Sequence, residues 1–304
     1  MKKFQNYLEI AVVHIAGVIV RSVPLSMALF FGRALGSIIY HGLRIRMDVA
    51  LDNIKRCFPA LNDAEAGRIA VDTYKNFGQS VCEFIRQPKM TKAYLDQKIK
   101  FVNEPLMEEA FLKGKGALCL SGHFGNWEIM AAAIRARGFP MMAVARDQRN
   151  PFVTTVINKY RTEVGIETIP LGIAIRGVLK ALQKNKFVAL LADQDAHDEG
   201  VFVDFFNHPS STAPGIAQFA LKTGAPIIFG AAVRGPKGCH TLFLERIEHH
   251  DLHGASEENI ELLTQRHTKV LEKYIVKYPD HWFWMHKRWK TKPSSIEKQH
   301  EMAE

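Results

Sequence analysis

The sequence predicts an α/β protein whose central, largely parallel sheet is flanked by helices and preceded by an apolar N-terminal segment. Three observations carry that expectation. Beyond Gly116, short apolar runs alternate with longer amphipathic stretches, the pattern of strand–helix–strand units. Helix-start and helix-stop residues punctuate those stretches at fitting positions. Two apolar stretches fill most of the first forty residues.

The elements follow in order. Lys2-Lys3 precede an apolar run, Leu8 to Val20, that has the look of a signal-peptide core, yet no small-x-small cleavage site follows it. Arg21 interrupts the run. A second stretch, Val23 to Tyr40, contains Pro24 and Arg33, and neither stretch offers about 20 uncharged residues. Residues 1–40 are therefore expected to anchor the protein to a membrane, as a tilted single span or as an interfacial pair of helices. Core helices of a soluble domain are the plainer alternative. Residues 42–95 read as amphipathic helices with Arg44, Arg46, Lys55 and Arg56 on polar faces, and Pro59 and Asn62 mark a break before a helix starting near Asp63. The strand candidates are Ala117 to Ser121, Met141 to Ala145, Thr168 to Leu171, Phe187 to Ala192 and Pro226 to Val233.

Between the strands, Asn126 caps a helix that Gly138 ends, and Asn150-Pro151 starts one that Gly165 ends. Thr212-Ala213-Pro214 begins a helix ending at Gly224, and Ser256 opens a long one reaching Tyr278-Pro279. No repeat, low-complexity segment or linker divides the chain, so residues 41–293 are expected to form one domain, and the polar residues 294–304 are expected to be a disordered tail.

Among the 304 residues Lys and Arg number 40 against 31 Asp and Glu, a net charge of +9 that suits phosphate-rich headgroups, acidic proteins or nucleic acid. The 4 cysteines lie far apart without a C-x-x-C pair, which argues against a disulfide framework or zinc knuckle and fits a reducing compartment. Cys119, inside a strand run, reads as core. No Walker A motif, strand–G-x-G-x-x-G–helix or G-x-S-x-G elbow occurs, so no cofactor and no catalytic serine are expected.

In an open parallel sheet, ligands bind beyond the carboxyl ends of the strands. There the sequence places His123 and Glu128 after the first strand candidate, Arg146 after the second, and Asp193-Gln194-Asp195 after the fourth. On one continuous helix a spacing of five would set His123 and Glu128 about 140° apart. With His123 at a strand end, Gly125 turning the chain and Glu128 in the first helical turn, carboxylate and imidazole are expected to meet. A carboxylate on one ring nitrogen fixes the tautomer and leaves the other to take a hydroxyl proton. The plain reading is a strand-end histidine and a glutamate that complements the helix dipole.

The segment Ser121-Gly-His-Phe-Gly-Asn-Trp-Glu128 resembles the H-x4-D/E motif of the glycerolipid acyltransferase superfamily, in the form found in the lipid A late acyltransferases. Further segments look like that family in order: Asn53 through Cys57-Phe58-Pro59, Arg146 to Arg161, Asp193-Gln194-Asp195, Phe205-Phe206 with Pro209 to Thr212, and Trp282 through Lys290. The resemblance spans roughly residues 5–293. It implies a glycerol-3-phosphate acyltransferase-like fold anchored at the bacterial inner membrane with its catalytic domain on the cytoplasmic side. It also implies transfer from acyl-carrier protein to a hydroxyl of a lipid A precursor; a related branch acylates mannosylated inositol lipids from acyl-CoA.

Carried over by position, His123 is the general base and Glu128 its orienting partner. Asn126, Arg146, Arg149, Asp193 and Asp195 are expected around the substrate. Where the family segment often reads Arg-Pro-x-x-Asn-Pro, this chain has Arg146-Asp-Gln-Arg149-Asn-Pro. Asp193 and Asp195 are expected to shape the site rather than take the proton.

Competing readings are a glycosyltransferase holding a metal on Asp193-x-Asp195, a metal site at His249-His250-Asp251-x-His253, and a membrane-surface scaffold that has kept the fold. The aromatic and basic residues from Tyr278 to Lys290 suit lipid headgroups, with buried tryptophans and wet lysines as the plain alternative. Single-stranded nucleic acid would also suit such a mixture, but the apolar N-terminus favours membrane and no nucleic-acid partner is expected.

Overall fold

The computed structural model describes residues 2–293. The tail expected at 294–304 lies outside the described residues.

Five α-helices come first: α1 (Lys2–Ser22), α2 (Leu25–Ile38), α3 (Met47–Cys57), α4 (Asp63–Arg86) and α5 (Lys92–Lys98). Pro24, with no N–H to donate, separates α1 from α2. Asn62 starts α4 with a capping box, its side chain accepting from Glu65 N while the Glu65 carboxylate accepts from Asn62 N. Strand β1 (Ile99–Val102) and α6 (Pro105–Leu112) lead into the alternating region of β2 (Ala117–Ser121), α7 (Trp127–Ala136), β3 (Met141–Ala145), α8 (Pro151–Glu163), β4 (Ile166–Pro170), α9 (Ala174–Gln183) and β5 (Phe187–Leu191). A hairpin of β6 (Val201–Phe205) and β7 (His208–Thr212) precedes α10 (Gly215–Thr223), β8 (Ile227–Arg234), β9 (His240–Ile247) and α11 (Glu257–Lys277).

Seven strands form one sheet in the order β1-β9-β8-β2-β5-β3-β4. All neighbours are parallel except β8 and β9, which are joined by a tight connection and run antiparallel. The largely parallel sheet expected from the sequence is therefore present with one antiparallel pair. Side chains alternate across β2 with the period of two that a strand imposes. Leu118 and Leu120 join a core shared with residues of α4, α9, α10 and α11, while Ala117 and Cys119 join a second core with α5, α6 and α7. Both faces of the sheet are covered, and β2 is buried along its whole length.

The N-terminal helices depart from one part of the expectation. Among the described residues no helix is long and apolar enough to cross a membrane, so the tilted span is not supported. The physical reason lies in the sequence of each helix. α1 carries Gln5, Asn6, Glu9, His14 and Arg21 among its apolar residues. The 14 residues of α2 span roughly 21 Å, short of a hydrocarbon core about 30 Å thick. Instead α2 lies against α4 at backbone contact: a Cβ added to Gly36 would stand 2.2 Å from the Tyr74 carbonyl oxygen, and one on Gly78 would stand 2.2 Å from that of Gly32. The opposite side is apolar and uncovered, with Leu8, Val12, Ile15 and Ile19 of α1 and Phe30 and Leu35 of α2 all exposed.

Candidate active site

The register of two central strands brings the site together. β2 and β5 are parallel neighbours with Ser121 opposite Leu191, so the residues two places beyond each strand, His123 and Asp193, arrive at the same level. The His123 backbone N–H donates to Asp193 Oδ2 over 2.7 Å, and His123 Nδ1 lies 2.8 Å from Asp193 Oδ1. A third donor, the Trp282 indole Nε1–H, reaches Asp193 Oδ2 at 2.8 Å. Burial by itself would raise the Asp193 carboxyl, but the imidazole, the His123 N–H and the indole outweigh it and hold the group below the usual carboxylate range. An ionised Asp193 can only accept, so Nδ1 carries the proton and Nε2 is left as the basic nitrogen. Burial pushes the imidazole pKa down, yet the charge and hydrogen bond of Asp193, with a further contribution from Glu128, leave it raised above 6.5. Nε2 has the Gln194 side-chain amide 3.5 Å away, and the His123 side chain keeps 25% of its exposure, so a substrate hydroxyl has an approach.

The turn around His123 is tightly fixed. Gly125 has φ +57°, and a Cβ there would lie 1.7 Å from the Ala232 carbonyl oxygen, so only glycine fits. Its N–H donates to the His281 carbonyl at 2.7 Å, and the Phe283 N–H donates to the His123 carbonyl at 2.9 Å, an arrangement that pairs Phe124 with Trp282 as a short antiparallel bridge. The segment expected to meet lipid headgroups therefore has a different task. Trp282, Trp284, Arg288 and Trp289 are buried, and only Lys287 and Lys290 of the basic residues are exposed. Asn53 of α3 holds this segment, donating to the carbonyls of Trp284 (2.8 Å) and His286 (2.7 Å).

Glu128 does not hold the imidazole, contrary to the sequence expectation; Asp193 does. Asn126 caps α7, accepting from the Ile129 N–H at 3.0 Å, and this sends Glu128 in the first turn toward α8. There Arg161 grips it with two nitrogens, Nε to Oε2 at 3.1 Å and Nη2 to Oε1 at 2.5 Å. Both side chains are largely buried in the wall of a cleft of about 160 Å³ between α4, α7 and α8, lined by Phe77, Val81, Phe84, Trp127 and Ile157. Trp127 connects cleft and imidazole, its ring 4.9 Å from that of His123.

The other expected site residues distribute differently. Arg146 is exposed at the rim of the cleft, and Arg149 is exposed in the same loop after β3. Asn126 is buried with both amide atoms engaged, Nδ2 donating to Glu83 at 2.6 Å. Asp195 points away from His123, accepting from the Thr291 hydroxyl at 2.9 Å and lying 3.1 Å from His197 Nδ1. Asp193 and Asp195 thus face separate protein donors instead of a shared point, and Asp251 is paired bidentately with Arg266. Among the described residues no group of three or more His, Cys, Asp or Glu side chains is arranged to hold a metal ion. Trp282 and Arg161 were not legible as site residues from composition or spacing. Their only signal was membership of the segments that resemble the family.

An oriented imidazole beyond a central parallel strand, beside an apolar cleft with an arginine–glutamate pair in its wall, defines an open-sheet α/β enzyme site suited to acting on hydroxyl-bearing, apolar substrates. The chain belongs to the bacterial lipid A biosynthesis acyltransferase family, whose sequence model matches residues 2–291, and it is an acyltransferase. It is 24% identical over 277 residues to the lipid A biosynthesis palmitoleoyltransferase of Escherichia coli, covering 89% of this chain and 87% of that one. It is 23% identical over 286 residues to the lipid A biosynthesis lauroyltransferase of the same organism, covering 91% and 90%. A phosphatidylinositol mannoside acyltransferase of Mycobacterium tuberculosis is 28% identical over 160 residues, 51% of each chain.

Proposed function

We propose that this protein transfers a fatty acyl chain from acyl-carrier protein to a hydroxyl of a lipid A precursor at the cytoplasmic face of the bacterial inner membrane, with residues 41–293 as the acyltransferase domain and His123 as general base. The observation that carries the reading is the imidazole held at Nδ1 by a buried carboxylate, with Nε2 open beside an apolar cleft. The acceptor oxygen attacks the thioester carbonyl, Nε2 takes its proton, a C–O bond forms as the C–S bond breaks, and the proton passes to the departing thiolate. A thioester is already activated, so neither an enzyme nucleophile nor a Lewis acid is required. Glu128 contributes negative charge near the imidazolium and holds Arg161 in the cleft wall. Arg146 and Arg149, both exposed, suit the acceptor's phosphates or the donor.

The uncovered apolar side chains of α1 and α2 support docking on the lipid surface as an interfacial pair. The net charge of +9 supports attraction of an acidic carrier protein, weakened by salt. The mycobacterial relative favours a second reading, acylation of another glycolipid, for which the family resemblance implies acyl-CoA as donor. Mass spectrometry of membrane lipids with and without the protein tests both: a fixed acyl increment on a lipid A precursor supports the first, an increment on a different glycolipid the second. The absence of any acyl increment would sink both.

A further inference from the structure

We propose that the buried Glu83–Arg234 pair positions the catalytic turn, acting through Asn126 and Ser80. The reading rests on the role given to His123 above and adds Glu83 and Arg234, which lie outside the H-x4-E motif. Glu83, fully buried on α4, receives Arg234 at the end of β8 in a two-pronged contact, Nη1 to Oε1 at 2.7 Å and Nη2 to Oε2 at 2.8 Å. The same guanidinium donates to Asn76 Oδ1 at 2.7 Å and to Ser80 Oγ at 2.9 Å, so α4 and β8 are locked together at one point. His240 of β9 completes the surroundings, with Nε2 3.5 Å from Glu83 Oε2.

Two contacts from this cluster end on the residues between His123 and Glu128, and two more, Asn76 Nδ2 to the Asp280 carbonyl (3.4 Å) and Arg234 N–H to His281 Nε2 (3.0 Å), reach the segment that bridges the turn. Ser80 Oγ lies 3.4 Å from the Gly125 carbonyl oxygen, and Asn126 Nδ2 donates to Glu83 Oε2 at 2.6 Å. The second contact settles which way the amide faces. A carboxylate only accepts and the Ile129 N–H only donates, so Nδ2 must face Glu83 while Oδ1 caps α7. Burial pushes the Glu83 carboxyl up, but His240 and Arg234 outweigh it and hold the group at about 2, so it stays an acceptor throughout the working range. The clamp thereby sets the angle at which α7 leaves the turn. That angle fixes Glu128 against Arg161 on one side and His123 against Asp193 on the other.

The test compares Asn126→Ser with Glu83→Gln in the full-length protein, measuring kcat and KM for the acyl thioester beside circular dichroism and thermal unfolding. Serine keeps a capping oxygen for α7 but is too short to reach Glu83, so Asn126→Ser is expected to fold and unfold cooperatively. Its kcat should fall about 10- to 100-fold, the scale of an ångström-level misplacement, with KM within about twofold of wild type. Glu83→Gln should show the same split. If the unpaired Arg234 stops that variant from folding, Asn126→Ser decides alone. A folded Asn126→Ser with kcat within about twofold of wild type overturns the proposal, as does a rise in KM at unchanged kcat, which would make Asn126 a substrate contact. His123→Ala in the same assay separates the two readings: activity retained there removes the base, whereas the clamp stands or falls on the Asn126→Ser split.

Discussion

Replacing Asp193 by asparagine isolates the orientation of the imidazole from the shape of the site. Asp193 Oδ2 accepts two N–H groups, from His123 and Trp282, and Oδ1 faces the His123 ring. An asparagine placed with its NH2 at the Oδ2 position would aim donors at two donors, so its carbonyl must take that position and its NH2 must face Nδ1. Nδ1 then has to accept, the ring proton moves to Nε2, and the nitrogen that should take the hydroxyl proton is already protonated. Two of the three hydrogen bonds keep their direction and the third is reversed with the carboxylate charge lost, so stability should fall by only about 1–3 kcal/mol. The rate should fall by ~10²–10⁴-fold, the contribution of a correctly protonated base. The pH profile carries a second signature. As the proposed base His123 must be neutral, and Asp193 together with Glu128 raises its pKa, so wild-type kcat should decline as pH drops through a value above 6.5. Without the Asp193 charge, burial dominates and the residual activity should hold to lower pH. For stability the sign is opposite: a raised histidine pKa stabilises below its unfolded value and the benefit disappears as pH rises through the folded one. The gap in stability between wild type and Asp193→Asn should therefore narrow with rising pH. An Asp193→Asn enzyme that transfers acyl groups within tenfold of wild type, with an unmoved acidic limb, would refute the reasoning.

Two further predictions concern the turn beside that dyad and the exposed face of α1 and α2. Gly125→Ala combines a positive φ with a Cβ overlapping the Ala232 carbonyl, and it should cost about 3 kcal/mol or more in a denaturant titration; a loss below about 1 kcal/mol would show that the turn can move aside. The double variant Ile15→Glu with Phe30→Glu alters side chains that are 60% and 66% exposed, so thermal unfolding should be unchanged while partitioning onto anionic vesicles weakens by roughly 10²-fold. Unaltered vesicle binding would end the docking role of this face.

Much of the fold was legible because local chemistry and tertiary structure agree. Ala117–Ser121 and Met141–Ala145 are strands with the expected bounds, and Asn126, Asn150 and Ser256 cap the helices they were expected to start. β1 was not legible because it has four residues and continues directly from α5, and β9 carries histidine, glutamate and arginine among its apolar positions. The site was half legible. His123 follows from its place beyond a strand, but its carboxylate depends on strand order: β5 inserts between β2 and β3, and this puts Asp193 beside His123. Nothing local to Glu128 discloses that Arg161, 33 residues later, captures it. Likewise, aromatic and basic residues near the C-terminus look alike whether they meet water or a buried turn.

The glycine contact between α2 and α4 has a mechanical meaning. With Gly32, Gly36 and Gly78 at backbone distance, the two helices cannot slide or rock independently without a clash. α4 also bears Ser80 and Glu83, which reach the turn at Gly125 and Asn126. In the proposed docking, α2 rests its outer side on lipid and is joined by a stiff strut to His123. On that reading the height of His123 above the bilayer would be a built-in dimension of the molecule, and an acceptor hydroxyl would be presented only if its own lipid carried it to that level.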